Sequence, residues 1–130
     1  MILLDTHIWY WWVGESPRLL DAQRALIDAH RPNGLGLSII SVWEVAKKNQ
    51  LGKLELDRPL GEWINTALTF SNLVVLPISR EIVLDATALP DGFRSDPADE
   101  LIVATARVLG VPLLTADRKL LDYPHVALLK

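Results

Sequence analysis

Short apolar runs recur along the chain, and most of them lead into a stretch with helical periodicity. Residues 2–4, Ile-Leu-Leu, predict a buried strand, followed by a short aromatic helix over about residues 6–13. Gly14 to Pro17 punctuates the chain. Residues 18–30 then read as an amphipathic helix that stops before Arg31-Pro32-Asn33-Gly34. A second strand is expected at 35–39, leading into a helix that runs to about Gln50 with Gly52 past its end. Residues 59–70 read as a helix with Pro59 near its first turn. A third strand at 73–76, a helix at 79–88, a long helix at 97–109 closed by Gly110 and Pro112, and a fourth strand at 111–115 follow, with 126–128 a candidate fifth. Apolar strands alternating with helices predict an α/β fold, a central and mainly parallel sheet of four to five strands with helices on both faces.

Composition narrows the class. Half of the 130 residues are hydrophobic and 22% are charged, which is globular, and the length suits one domain, 1–130. With no cysteine, disulfides, thiolate catalysis and Cys-ligated zinc are excluded, and a reducing cytoplasm is the expected compartment. The apolar start meets Asp5 and His7 at once, so no signal peptide is expected, and no run approaches the roughly 18 apolar residues of a membrane span. A formal net charge of −3 argues against a protein that coats nucleic acid, although clustered acids that bind cations would count as negative in that sum.

The acids fall at telling places. In a parallel α/β sheet, residues just past the carboxyl ends of the strands collect along one edge, where sites are built. Asp5 follows the first strand and Glu44 comes shortly after the second, within Ser41-Val-Trp-Glu44. Asp96 and Asp99 open the long helix, and Asp117 follows the fourth strand in Thr115-Ala-Asp117. Each has a structural reading. Ser41-x-x-Glu44 matches a capping box, and Asp96 before Pro97 reads as an N-cap with Asp99 in an acidic first turn. Asp5 and Asp117 can each cap a following helix, and a parallel sheet gathers helix starts on one edge anyway. The chemical reading comes from the apolar sequence around each acid. Carboxylates gathered in half-buried ground repel, and one protonates unless a cation lies between them. Mg²⁺ or Mn²⁺ takes oxygen ligands and keeps waters for chemistry. Phosphodiester hydrolysis is the reaction that such a site serves. On spacing alone both readings stand.

The motifs carry more than spacing. Leu3-Leu-Asp5-Thr6-His7-Ile-Trp9, Ser38-Ile-Ile-Ser41-Val-Trp43-Glu44, Asp96-Pro-Ala-Asp99-Glu-Leu-Ile-Val-Ala-Thr105-Ala and Leu114-Thr115-Ala-Asp117 resemble, in order, the signature segments of PIN-domain proteins, and among them the VapC-like toxins of toxin–antitoxin pairs. The resemblance implies a PIN-like three-layer sandwich and an acidic quartet at Asp5, Glu44, Asp99 and Asp117. Asp96 is then a cap, a supporting group or a further metal ligand. It also implies Mg²⁺ or Mn²⁺ dependence, endonucleolytic cleavage of RNA, a homodimer, and a VapB-like antitoxin. That antitoxin would cover the site with a C-terminal segment and bind DNA through its N-terminal domain, so DNA is met only indirectly. The chain departs from the pattern of this branch in two places. Arg94-Ser95-Asp96-Pro97 stands where His-Arg-Asp-Pro is common, and Glu100 rather than a basic residue follows Asp99, which lowers the positive charge beside the acids.

Around the acids, Thr6, Ser41 and Thr115 are hydroxyls that either cap helices or orient ligands and substrate; for Ser41 capping is the expectation. Of the basic residues Lys47, Lys48, Lys53, Arg94, Arg107, Arg118 and Lys119, the two nearest the acids in sequence, Arg94 and Arg118, are the expected phosphate contacts. Trp9, Trp11, Trp12, Trp43 and Trp63 lie in apolar stretches and are expected in the core or in a partner groove rather than on RNA bases. A receiver domain or a haloacid-dehalogenase-like phosphatase also places an Asp after a first strand. The phosphatase wants a second Asp where this chain has His7, and the receiver's acidic pair and late Lys are missing. The non-enzymatic alternative, a silent PIN-like module that binds RNA or protein, would be marked by loss of an acid, and none is lost.

Overall fold

A computed structural model describes all 130 residues. Four strands, β1 (Ile2–Leu4), β2 (Leu35–Ser38), β3 (Leu73–Leu76) and β4 (Leu113–Leu114), form one sheet in the order β3-β2-β1-β4 with every pairing parallel. Seven helices connect and cover them: α1 (Thr6–Val13), α2 (Asp21–His30), α3 (Ile39–Gln50), α4 (Leu60–Leu68), α5 (Arg80–Ala86), α6 (Pro97–Leu109) and α7 (Arg118–Leu121).

The strands are short and, Ser38 at the end of β2 apart, apolar because both faces of the sheet are covered. Alternation in β1 divides the core. Ile2 and Leu4 join Leu35, Leu37, Ile8, Trp9, Trp12, Val45 and Trp63 on one face, whereas Leu3 joins Leu113, Ile102, Val103, Ala106 and Leu120 on the other. That gives the expected three layers. Within the first layer Trp9 meets Trp63 edge-on at 5.2 Å between centroids, and Trp9 Nε1 is the one buried side-chain polar atom without a partner. The sheet passes tightly beside β2. A Cβ on Gly36 would lie 2.9 Å from Leu76 Cδ1, 3.1 Å from Met1 Sδ and 3.3 Å from the Ile2 carbonyl oxygen, so a side chain there would have to push the Leu76 and Met1 side chains aside and crowd β1.

Several boundaries differ from the sequence reading. The fifth strand at 126–128 reduces to a single parallel bridge, Leu113 with Leu128, and β4 pairs over two residues instead of five. The second helix begins at Asp21 rather than residue 18, after Gln23 Oε1 accepts from the Leu20 N–H. The four-residue helix α7 has no periodicity of its own, and the capping reading of Asp117 is its one mark in the sequence. The cap of α3 is Ser38, whose hydroxyl accepts from Ile40 N, and not Ser41. β2 turns into α3 without a loop, so the helix is already one turn old at Ser41, which is fully buried in it.

Candidate active site

The sheet order decides which acids meet. β1 is central, so Asp5 leaves the sheet between the ends of β2, which feeds α3 and Glu44, and β4, which feeds Asp117 and α7. Asp99 enters from the first turn of α6. Asp5, Glu44 and Asp99 are buried, 4%, 8% and 8% exposed, although each is ionisable. Burial of this kind without a partner of opposite charge raises a carboxyl's pKa. Asp5 is pushed up from 3.8 to about 6, chiefly by burial; hydrogen bonds from Thr115 and Thr6 oppose the shift, and the charges of Glu44 and Asp117 add to it. Asp99 also rises to about 6, again chiefly by burial, against a hydrogen bond from Ser95 and with the charges of Asp96, Asp5 and Asp117 behind it. Each of the five acids picked out in the sequence therefore feels or exerts the charge of at least one other.

Capping and clustering prove to be compatible. Asp5 caps α1 through Oδ1, which accepts from Thr6 N at 2.9 Å. Asp117 caps α7 through Oδ1, which accepts from Lys119 N at 3.0 Å. Asp96 caps α6 by accepting from Asp99 N at 2.9 Å, and it is exposed at the rim. Glu44 Oε2 accepts from Lys48 Nζ at 2.8 Å, and Asp99 Oδ2 accepts from the Ser95 hydroxyl at 2.6 Å. Four oxygens, Oε1 of Glu44, Oδ2 of Asp96, Oδ1 of Asp99 and Oδ2 of Asp117, are left without a protein donor, three of them on the quartet.

Hydroxyls tie the elements together. Thr115 Oγ1 donates to Asp5 Oδ2 at 2.6 Å and accepts from Asp117 N at 3.0 Å, joining the first acid to the last. Thr6 donates to Ser41 Oγ at 2.8 Å, fixing α1 against α3. Thr115→Val would leave Asp5 Oδ2 and the Asp117 N–H unpaired. It is expected to cost about 1–3 kcal/mol of stability in thermal denaturation and to raise the Asp5 pKa further, as followed by carboxyl NMR titration; Thr115→Ser should restore both.

The basic residues are placed differently from their sequence order. Arg118 is exposed and lies 3.9 Å from Asp122, and Arg94 is exposed with no hydrogen bond. Arg107 grips Asp85 and the His125 carbonyl oxygen at the far end of α6. Lys48 and Lys119 are the cations on the acids, the latter through Ser95, whose hydroxyl accepts from Lys119 Nζ at 3.0 Å. Ser95 N also donates to Glu100 Oε2 at 3.0 Å, so the two residues that depart from the expected pattern bond to one another. Sequence reasoning passed over Lys119 in favour of its neighbour because an α-helical turn sends adjacent side chains in different directions.

Trp9, Trp12 and Trp63 are buried and Trp11 is half-buried, but Trp43, beside Glu44, is 56% exposed. A cleft of about 510 Å³ lies on a different part of the surface, between Tyr10, Val13, Trp63, Phe70 and the segment Glu55–Arg58, and none of the acids lines it.

The PIN-domain family model matches residues 2–126. Ribonuclease VapC22 of Mycobacterium tuberculosis is 34% identical over 124 residues, 95% of this chain and 92% of that protein. The chain belongs to the PIN-domain family, in its VapC branch. Solved structures agree on the fold of this PIN domain. A chain of VapBC2 from Rickettsia felis, crystallised with a DNA fragment from its promoter, superposes with a TM-score of 0.73 at 18% identity, covering 99% of this chain and 98% of the other. A chain of FitAcB from Neisseria gonorrhoeae gives 0.68 at 24% identity, covering 100% and 97%.

Proposed function

We propose that this PIN domain is a divalent-metal-dependent endoribonuclease, the toxin of a toxin–antitoxin pair, with Asp5, Glu44, Asp99 and Asp117 as its catalytic acids. The observation that carries the reading is the meeting of these four acids, 112 residues apart at the extremes, at one sheet edge in a chain 34% identical to a named ribonuclease. The donor set suits Mg²⁺ or Mn²⁺: every group is a hard oxygen, two of the carboxyls are pushed up by burial and like charge, and three of the quartet's oxygens have no protein donor. As the side chains stand, no three acids are at ligating distance, Glu44 being drawn to Lys48 and Asp99 to Ser95. Asp5, Glu44, Asp99 and Asp117 would hold the ion, with Asp96 able to reach it from the rim. When bound, such an ion lowers the pKa of a water and stabilises the leaving oxygen of the phosphodiester. The chain's own part is to hold Asp5 rigid through Thr6 N and Thr115, to keep Asp117 oriented through its cap, and to exclude bulk water behind the buried acids.

The partner reading rests on the relatives. The VapBC2 and FitAcB structures named above support a VapB-like antitoxin, with DNA reached through it. The cleft between α1 and α4, apolar at Tyr10, Val13, Trp63 and Phe70 and charged at Asp57 and Arg58, is suited to a partner segment. A homodimer and a cytoplasmic location complete the proposal; no helix is long and apolar enough to cross a membrane.

The test is cleavage of total cellular RNA by the purified protein, free of antitoxin, with Mg²⁺, with Mn²⁺ and with chelator. Discrete fragments that require the metal support the reading. Whole RNA across a broad pool, from folded protein that binds the metal, favours the silent binding module instead.

A further inference from the structure

Among the seven basic residues that the sequence singles out, Lys48 and Lys119 are the two whose ammonium groups rest on the acidic edge. Lys48 Nζ lies 2.8 Å from Glu44 Oε2 and the side chain remains one-third exposed. Lys119 Nζ lies 3.0 Å from Ser95 Oγ, and the same hydroxyl donates at 2.6 Å to Asp99 Oδ2. They approach from opposite flanks. Lys48 comes from α3, after β2, and Lys119 from α7, after β4, with Asp5 just past the end of the strand between. Of the remaining five, three are engaged elsewhere, Lys47 on Gln50, Arg107 on Asp85 and Arg118 towards Asp122, and Lys53 and Arg94 are exposed with no side-chain hydrogen bond.

Four acids that repel one another need positive charge nearby, and in the metal-free chain these lysines are the charge that the fold supplies. Neither is locked. A partly exposed ion pair is held weakly, and a lysine is a point charge on a flexible stem that can exchange one anionic partner for another. A divalent ion entering between the acids would compete with the Lys48 ammonium for Glu44 and with the Ser95 hydroxyl, on which Lys119 rests, for Asp99, and the lysines, once released, would stand at the two ends of the site.

We propose that Lys48 and Lys119 are exchangeable cations: in the metal-free protein Lys48 pairs with Glu44 and Lys119 rests on the Ser95 hydroxyl that holds Asp99, and, once a divalent ion takes over those acids, both bind phosphates of the RNA strand on either flank of the site. This rests on the ribonuclease reading and adds to it a charge handover between metal and substrate. It predicts two opposite consequences of removing a lysine, tighter metal binding and weaker RNA binding, which a merely structural ion pair would not produce together.

The test uses the full chain as wild type, Lys48→Ala, Lys119→Ala, both together, Lys48→Arg, Lys119→Arg, and Lys47→Ala as a control. Each is checked for folding by circular dichroism and thermal melting. Mn²⁺ affinity is measured by calorimetry without RNA. Binding of a fluorescein-labelled, mixed-sequence single-stranded RNA is followed across a salt series in chelator and in Ca²⁺, with the RNA checked for intactness. Each lysine released onto a phosphate adds about 0.7 to the slope of log affinity against log salt. The wild-type slope should therefore steepen by about 1.4 on going from chelator to Ca²⁺, and each single variant should lose about half of that increment. The Lys→Arg forms should keep it and Lys47→Ala should match wild type, while the alanine variants at 48 and 119 bind Mn²⁺ several-fold more tightly. Unchanged slopes in folded variants, or weaker Mn²⁺ binding, overturn the handover and leave the ribonuclease reading intact. A wild-type chain that binds Mn²⁺ but no RNA removes the ribonuclease reading itself, and the handover with it.

Discussion

Replacing Asp99 by asparagine is expected to lower RNA hydrolysis by more than about a hundredfold, beyond the 10–100-fold that loss of a supporting group around a metal costs, while the protein stays folded. Asp99 and Asp96 make an informative pair because both open α6 and only one of them is its cap. Asp96 Oδ1 accepts the hydrogen bond from Asp99 N, so the Asp99 side chain can be changed without opening the helix end. Asparagine caps as well as aspartate, so Asp96→Asn should leave stability within a few tenths of a kcal/mol, whereas Asp96→Ala should cost about 0.5–2 kcal/mol. Fragment yield from a labelled RNA, measured beside a thermal melt for each variant, separates the two roles. A folded Asp99→Asn protein that still cuts at near wild-type rate would remove Asp99 from the chemistry.

The metal-free protein is expected to lose stability as pH rises through the range from about 4 to 6, the reverse of the usual behaviour of a protein whose carboxylates are paired. Asp5 in the folded chain holds its proton to about pH 6, whereas its ordinary value is 3.8. The folded state therefore binds more protons than the unfolded state between those values, and unfolding becomes easier with each step upward in pH. For Asp5 the difference of about 2 pK units corresponds to about 3 kcal/mol, fully lost above pH 6. Asp99, also raised to about 6, acts in the same direction. A divalent ion binds the ionised carboxylates, so Mg²⁺ or Mn²⁺ should give little protection at pH 5 and a gain in Tm on the order of 10 °C at pH 7.5. Thermal melts at the two pH values with metal and with chelator check this. A metal-induced gain that is the same at both would mean that the buried acids do not take up the ion.

The acids were legible in the sequence for a physical reason. A buried parallel strand must be apolar and must end where the chain reaches water, so an Asp immediately after Leu4, or three residues after Leu114 past Thr115 and Ala116, marks both the strand's end and the sheet's edge. α6 was equally plain, with Asp96 and Pro97 at one end and Gly110, in the left-handed conformation, at the other. The helix pattern around Ser41 misled because Ser-x-x-Glu is a local signal, and where β2 passes straight into α3 the local signal at Ser38 comes first. Ser41 was thereby freed to meet Thr6 across 35 residues of chain. The same limit explains Lys119. Its contact with Ser95 spans 24 residues and depends on a four-residue helix too short to leave a periodicity. The candidate strand at 126–128 was apolar enough to pair, but only Leu113 reaches it, since β4 itself is two residues long.

The hydrogen bond from Thr115 to Asp5 closes a span of 110 residues, and β1 has β2 on one side and β4 on the other. During synthesis the strands are made in the order β1, β2, β3, β4, so β1, β2 and β3 can pair while one flank of Asp5 still lacks its neighbour. Thr115, Asp117 and Lys119 all arrive with β4 and α7. A chain still growing on the ribosome, surrounded by RNA, thus carries Asp5, Glu44 and Asp99 with no fourth acid and no Thr115 to hold Asp5 in place. The order of translation withholds the assembled site until almost the whole fold has been made.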